Sequence, residues 1–238
     1  MNLLETRQIT FGGEVVPAYI ATTPSIVKPV RKMTISQIAG TNREVVEMED
    51  AWETYDQTYT LFVGDGSEDC TEEAMINVAK ALYKDGWQTL VDDYDDEHYR
   101  LAYYQGGIDA DNRYTRLAKF DVTFKCRPER FLNTGSTAVS IASGEAITNP
   151  TIYNAKPLIK ITGSGSGNLV VGETTMSFTD IVDYLYIDCD RMDVYRLPTE
   201  NRNNLMTGEF PVLTAGNNII SFTGGIVACE ITPKWWEI

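Results

Sequence analysis

Histidine, cysteine and basic side chains are all scarce in this sequence of 238 residues. His98 is the single histidine, so a metal site that needs several histidines is excluded. Lys and Arg number 20 against 34 Asp and Glu, which gives a net charge of −14 at pH 7. Such an acidic protein repels the phosphates of DNA and RNA, and this argues against sequence-specific nucleic-acid binding.

Long apolar runs are also missing. No run approaches the ~18–20 apolar residues that cross a bilayer, and the first residues contain no export signal, so we predict no membrane insertion. The four cysteines, Cys70, Cys126, Cys189 and Cys229, are widely spaced. Three of them lie in strand-like apolar runs, and we expect free thiols in a protein made in a reducing compartment.

The sequence does contain enough apolar surface for packed cores, with 43% hydrophobic and 11% aromatic residues. Its most regular pattern lies in residues 119–132, where the apolar side chains at alternate positions are Phe120, Val122, Phe124 and Cys126. This period of two predicts a half-buried strand. We expect the strand to end at Pro128, which has no N–H to donate to a sheet.

A polar stretch that begins at Asn133 follows this strand and predicts a domain boundary. We therefore predict an N-terminal domain over residues 1–133 and a C-terminal domain over residues 134–238. Both are acidic, since the first has 14 basic and 23 acidic residues (−9) and the second has 6 and 11 (−5). The predicted fold class is mainly β, with an α+β domain followed by an all-β domain.

The N-terminal domain is predicted to be a β-sandwich with one helix and a hairpin. The pair Gly12-Gly13 supplies the positive φ that a tight hairpin turn needs. Residues 24–29, bounded by prolines, are expected to be irregular, and alternating aromatic and β-branched residues predict a strand over residues 55–63. Apolar residues three and four apart predict a helix over residues 71–84, with Thr71 as its N-cap.

The C-terminal domain shows no helical pattern of useful length. We expect about seven short strands, over residues 157–162, 168–171, 174–179, 184–189, 192–196, 219–222 and 226–231. Glycine-rich turns are predicted between them at residues 163–167 and 224–225. Short strands with regular turns are typical of a β-sandwich.

Two groups of acidic residues are candidate metal sites. Residues 92–97 join two predicted strands, and a calcium loop of the EF-hand type would need a glycine where Glu97 stands. A solvated hairpin tip is therefore the favoured interpretation. A looser group, Asp188, Asp190 and Asp193, is a weaker candidate, and we predict no metal site.

The sequence offers little catalytic machinery. His98 is flanked by Glu97 and Tyr99 in a predicted strand, where a surface histidine is favoured over a catalytic one. The glycine-rich run at residues 163–167 contains the letters of a nucleophile elbow, but no helix follows it. We predict no catalytic residue, no cofactor and no enzymatic activity.

The order of several motifs resembles the distal tail protein (Dit) family of long-tailed, non-contractile bacteriophages. In the N-terminal domain the motifs are the first hairpin, the helix, and residues 87–90, 99–104 and 120–128. In the C-terminal domain they are residues 157–167, 184–190, 208–213, 216–222 and 233–236. The resemblance covers nearly the whole chain.

This resemblance implies a structural hub protein of the tail tip or baseplate of a virion, assembled in the host cytoplasm. It implies a homo-hexameric ring of N-terminal (belt) domains, which joins the tail tube protein to the tail-associated lysin or other tail-tip protein and lets DNA pass. The C-terminal domain would be a galectin-like β-sandwich that contacts receptor-binding or baseplate proteins. An acidic channel through which DNA slides is a further hypothesis, based on the charge of the first domain.

Sugar binding is the alternative function. The usual galectin site needs a histidine on its sheet, and His98 lies in the other domain, so that site is not assembled in its usual form. A carbohydrate-binding module for host adhesion would instead use Trp235 and Trp236, although aromatic residues near a terminal strand more often close a core. A glycoside hydrolase with paired carboxylates is the least favoured class.

Overall fold

The computed structural model describes residues 7–64, 72–114 and 117–238. The chain divides into two compact units, Met1–Arg130 together with Ile238, and Phe131–Glu237, which we call the N-terminal and C-terminal units. This division falls at residue 130, near the boundary that the sequence places at residue 133. Within the described ranges, no helix has the length and apolar character needed to span a membrane.

The described part of the N-terminal unit consists of β-strands and one α-helix. Its elements are β1 (Ile9–Phe11), β2 (Glu14–Val15), β3 (Tyr19–Ile20), β4 (Arg31–Gln37), β5 (Glu44–Trp52), β6 (Tyr55–Val63), α1 (Glu72–Leu82), β7 (Gln88–Asp92), β8 (Asp95–Tyr104), β9 (Ala110–Tyr114) and β10 (Leu117–Leu132). The main sheet has the order β2-β1-β7-β8-β10-β6-β3, and β9 pairs with β10. The strands β4 and β5 form a separate two-stranded sheet.

Strand β10 confirms the predicted alternation but is longer than predicted. Phe120, Val122, Phe124 and Cys126 are all buried. The prediction that the strand ends at Pro128 is wrong, because β10 continues to Leu132. Its pairing with β6 ends at Cys126, opposite Tyr55. Pro128 lies beyond this last pair, so β6 needs no hydrogen bond from that position and a proline is tolerated there.

Helix α1 confirms the predicted helix. It is two residues shorter at its C-terminal end than the predicted range, ending at Leu82 with Gly86 at a φ of 70° shortly beyond. The predicted N-cap, Thr71, lies outside the described residues. Val78, Ala81 and Leu82 are buried in the core, which also contains the aromatic side chains of β6 and β10. An amphipathic helix is thereby held on the sheet by one apolar stripe.

Both predicted hairpins of the main sheet are present. Gly12 and Gly13 have φ of 57° and 79° in the turn between β1 and β2. The second hairpin is tighter than predicted, because β7 and β8 pair as far as Asp92 and Asp95. Most of the acidic run at residues 92–97 therefore lies within strands, and only two residues form the turn.

The C-terminal unit is built from strands and two short 3-10 turns in the described chain. Its strands are β11 (Val139–Ile141), β12 (Ala146–Asn149), β13 (Leu158–Val171), β14 (Thr174–Asp188), β15 (Asp193–Tyr195), β16 (Met206–Gly208), β17 (Gly216–Thr232) and β18 (Trp236–Glu237). The sheet order is β11-β17-β13-β14-β15, with β12 on β17 and β16 on β14. The predicted mainly β fold is confirmed, whereas the galectin-like topology stays a prediction.

The glycine-rich turns predicted at residues 163–167 and 224–225 are wrong. Both segments lie inside long strands, where β13 and β17 pass each other with two shifts of register. A Cβ on Gly163 would lie 2.0 Å from the carbonyl oxygen of Gly225, and one on Gly225 would lie 1.8 Å from that of Ser164. These glycines permit a close approach of two backbones, so pairs of predicted short strands join into single long ones.

Candidate functional site

The hairpin formed by β4 and β5, which we call the arm hairpin, is the most exposed part of the described N-terminal unit. Every residue from Arg31 to Asp50 is exposed. Its turn is closed by backbone hydrogen bonds from Ile38 N to the carbonyl oxygen of Arg43 (3.2 Å) and from Thr41 N to that of Ile38 (3.2 Å). At its base, Arg31 Nε donates to the carbonyl oxygen of Glu49 (2.8 Å).

The arm hairpin has one apolar face. In its register Met33 stands opposite Met48, Ile35 opposite Val46, and Gln37 opposite Glu44. Directly opposite residues of an antiparallel pair point to the same side, so four apolar side chains form two adjacent rows that end at Glu44. The opposite face contains Thr34 paired with Glu47 and Ser36 paired with Val45.

The apolar rows are uncovered in the isolated chain. Met33, Ile35, Val46 and Met48 have 44–56% of their surface exposed. Contiguous apolar surface on a soluble chain marks a site of contact with another molecule, and a lone two-stranded hairpin is only marginally stable in water. Both outer edges of this sheet are also unpaired among the described residues. The arm hairpin is therefore the candidate functional site.

The sequence contained the signal for this arm, although only an irregular passage was predicted nearby. Met33 and Ile35 alternate with polar residues, and after a glycine-containing turn Val46 and Met48 are separated by Glu47. This is the period of a half-buried strand. The prolines and charged residues around this pattern obscured it. Nothing in the sequence shows that these two strands form a hairpin separate from the main sheet.

The acidic run at residues 92–97 contributes to a buried polar cluster. Asp92 is 3% exposed and accepts hydrogen bonds from the Tyr59 hydroxyl (2.7 Å) and from Arg100 Nη1 (3.3 Å). Arg100 Nη2 also donates to Asp95 Oδ2 (3.1 Å), and His98 Nδ1 lies 2.6 Å from Asp95 Oδ1. The surface histidine expected here is corrected, because His98 is 8% exposed and lies against Asp95. The solvated tip is present, since Asp93, Asp96 and Glu97 are exposed.

The ion pairs and hydrogen bonds of this cluster shift the pKa values of its members. Burial alone would raise the pKa of Asp95, but the hydrogen bond and charge of His98, with Arg130 and Arg100, hold the pKa below its ordinary value. Burial and the neighbouring carboxylate of Asp92 raise the pKa of Tyr59. The carboxylates thus serve as counter-ions of arginine.

The described residues contain no group of three or more His, Cys, Asp or Glu side chains placed to hold a metal ion. In the second acidic group, Asp188 Oδ1 accepts from the backbone N–H of Asp190 (3.1 Å), and Lys234 Nζ lies 3.5 Å away. Asp193 accepts from the side chain of Asn201 (2.6 Å). These carboxylates therefore accept hydrogen bonds from nearby residues of the chain and stabilise its turns.

Trp235 and Trp236 occupy different environments. Trp235 is 5% exposed and belongs to the core of the C-terminal unit, so it has no free ring face for a sugar. Trp236 is half-buried and stacks on Tyr153 with ring centroids 4.4 Å apart, while its Nε1 donates to the carbonyl oxygen of Asn154 (2.9 Å). Sugar binding at Trp236 stays a prediction.

Three cysteines, Cys126, Cys189 and Cys229, are buried and free. Burial raises the pKa of each thiol to about 12. A thiol is nucleophilic only as thiolate, so these side chains are unreactive parts of the two cores. Cys70 lies outside the described residues.

The fold is similar to that of phage adsorption-apparatus and baseplate proteins of known structure. The chain is similar to the crystal structure of Dit from phage SPP1, described as a paradigm of the hub adsorption apparatus in phages that infect Gram-positive bacteria, with a TM-score of 0.72 and 12% identity. The match covers 95% of this chain and 98% of that one. The resemblance stated from the sequence is thus confirmed as a likeness of fold.

A second match supports the same fold. The baseplate of phage P2, solved in its activated conformation with calcium, contains a chain with a TM-score of 0.56 and 12% identity, over 94% of this chain and 96% of that one. The strontium form of that baseplate gives a TM-score of 0.54 and 13% identity. No family model and no curated protein matches the sequence.

Proposed function

We propose that this chain is a structural hub protein of a phage tail tip, without enzymatic activity and without a cofactor. The N-terminal units of six copies form a ring that joins the tail tube protein to the tail-tip or tail-lysin protein. The C-terminal unit, which we propose to be galectin-like, offers a docking surface to receptor-binding or baseplate proteins.

The observation that supports self-assembly is the uncovered apolar face of the arm hairpin, in a chain with the fold of SPP1 Dit. Each of its four apolar side chains would gain on the order of 1 kcal/mol when covered. Both strands also have a free edge, and edges of this kind are removed when copies pair around a closed ring. Assembly into a ring would therefore both cover the apolar face and pair the two free strand edges.

The proposed channel of the ring lets DNA pass without holding it. The predicted N-terminal domain carries a charge of −9 (14 basic against 23 acidic residues). Negative walls repel phosphates, so DNA in such a channel slides. A ring structure with a basic channel wall would contradict this part of the proposal.

Electron microscopy and light scattering of the purified protein test the proposal, alone and mixed with the tail tube and tail-tip proteins of the same phage. We expect sixfold rings and a particle mass of six chains in at least one of these samples. Single chains in every sample would overturn the proposal. Turnover of host cell-wall polysaccharide by the protein would overturn its non-enzymatic part.

Two neighbouring valines provide a matched control. Val46→Asp places a charge on the apolar face of the arm hairpin, and we expect it to abolish assembly. Val45→Asp places the same charge on the opposite face, at a position with a similar exposure of 42% against 49%, and we expect assembly to persist. Equal behaviour of the two variants would exclude the apolar face as the contact.

A further inference from the structure

A second uncovered apolar surface lies on α1. Ile76, Lys80 and Tyr83 stand four and three residues apart, so they share the helix face opposite the buried stripe. Ile76 and Tyr83 are 45% and 58% exposed. We call Ile76, Lys80 and Tyr83 the helix stripe.

The aromatic member of this stripe is held in place by its neighbours. The backbone N–H of Tyr83 donates to the carbonyl oxygen of Ala79 (2.9 Å), which extends the helical bonding. The Tyr83 ring lies 5.7 Å from that of Tyr104. Preorganised aromatic side chains lose little entropy on binding, which is why they are frequent energetic centres of interfaces.

The helix stripe and the arm hairpin have complementary charges. Lys80 stands in the middle of the stripe and Glu44 stands at the end of the apolar rows, and neither has an ion-pair partner in the part of the chain that the structure describes. Glu44 accepts one long hydrogen bond, from the Gln37 side chain (3.5 Å). Each surface therefore presents apolar groups next to one unpaired charge of opposite sign.

The charges also set the register of the contact. Along a strand, Val46 lies ~7 Å from Glu44. Along the helix, Ile76 lies ~6 Å from Lys80 on one side and Tyr83 ~4.5 Å on the other. With Glu44 opposite Lys80, the Ile35–Val46 row therefore reaches an apolar member of the stripe in either direction. The direction toward Tyr83 keeps the two methionines away from Glu73.

We infer that the arm hairpin of one copy docks with its apolar face on the helix stripe of the next copy, with Glu44 opposite Lys80. The inference rests on the proposed ring and names its contact. Because the two surfaces differ, the interface is heterologous, and repetition of one such contact closes a ring. It also explains why both surfaces are bare in a single chain.

Disulfide cross-linking tests the contact in the full-length protein. In a Cys70→Ser background, the remaining cysteines are buried. A variant with Val46→Cys is mixed with one carrying Tyr83→Cys, allowed to exchange subunits and oxidised. We expect a cross-linked species of twice the chain mass in the mixture and in neither variant alone. Val227→Cys, at a position with 72% exposure, replaces Val46→Cys as the control and should give none.

Each outcome of the cross-linking has a distinct meaning. Rings without the mixed cross-link would overturn this inference and leave the proposed function intact. Cross-linking of Val46→Cys with itself would show that arm hairpins pair with one another, which also overturns it. The absence of any assembly, in all samples with tail partners, would overturn the ring and this contact together.

Charge reversal gives an independent test. Glu44→Lys and Lys80→Glu should each raise the concentration at half-assembly about three- to fivefold, since a surface ion pair is replaced by repulsion. Their combination should restore wild-type assembly. Glu209→Lys, an exposed residue of the C-terminal unit, serves as the control and should have no effect. Additive losses in the double variant would contradict the pairing.

Discussion

Gly163 and Gly225 show how a single hydrogen atom in place of a side chain shapes the C-terminal unit. The carbonyl oxygens of one strand occupy the space where a Cβ of the other would stand. Neither Gly163 nor Gly225 has a positive φ. Glycine is therefore required at these two positions because the two strands lie too close together for a Cβ, and not because the backbone is left-handed.

Gly225→Ala should destabilise the C-terminal unit by about 3 kcal/mol or more, because the new methyl group meets a backbone oxygen that cannot rotate away. Gly107→Ala is the control, since no atom lies within 4 Å of its Cβ position, and it should change stability by less than about 0.5 kcal/mol. Calorimetric unfolding of both variants checks the difference. Equal melting temperatures would show that β13 and β17 are farther apart than described.

The charge on Asp95 makes stability depend on pH. Its folded-state pKa is lowered by His98, Arg130 and Arg100 against the effect of burial, so the ionised carboxylate stabilises the fold at neutral pH. That stability is complete above the unfolded pKa of roughly 4 and is lost as the pH falls through the folded value.

Asp95→Asn should therefore lower the melting temperature most at pH 6–7, and the difference from wild type should shrink below about pH 4. Thermal unfolding followed by circular dichroism between pH 3 and pH 7 checks this. Asp121→Asn, on the exposed face of β10, provides the comparison and should show no such trend. A constant difference at all pH values would contradict the role of the ionised carboxylate.

At the scale of elements, the sequence predicted those whose pattern is local. The stripe of α1, the glycine pair between β1 and β2, and the alternation of β10 are each readable within a dozen residues. The same reasoning failed where a distant strand decides the outcome. Gly163 and Gly225 resemble turn residues until β13 and β17 are placed side by side, and Pro128 resembles a strand end until β6 is seen to stop at Tyr55.

The candidate site was missed for a related reason. The apolar face of the arm hairpin packs on none of the described residues outside the hairpin. A search of the sequence for patterns that build a core therefore does not find it. The buried cluster around Arg100 was also unpredicted, because residues on three different strands, Tyr59, Asp92 and Asp95, bring their polar atoms together only in the folded sheet. Long-range pairing cannot be read from local periodicity.

The arm hairpin should change its accessibility on assembly. Arg43 lies in its exposed turn, so trypsin should cleave there early in the unassembled protein. In the proposed ring, cleavage at Arg43 should become at least about tenfold slower, because the docked arm cannot enter a protease site. Mass spectrometry of timed digests measures both rates. Arg191, exposed in the C-terminal unit, reports general protease activity, and equal rates at Arg43 would contradict docking.

For the whole molecule, the excess of acid over base is the dominant property. A net charge of −14 on each copy should prevent retention of DNA. In a gel-shift assay with double-stranded DNA at about 50 mM salt, we expect no complex up to about 10 μM protein, whereas non-specific DNA-binding proteins bind in this range. A complex that disappears with added salt would contradict the proposed sliding channel.

The long strand β17 determines when the C-terminal unit can fold. It lies between β11 and β13 in the sheet and also pairs with β12, and Ile231 pairs with Ile159, 72 positions earlier (231 − 159). During synthesis, β13 and β14 leave the ribosome before β17, so the edge of β13 that β17 will cover is open in that interval. Such an edge recruits other nascent chains. Products of premature termination before residue 216 should therefore aggregate, and this unit is protected only after β17 has been synthesised.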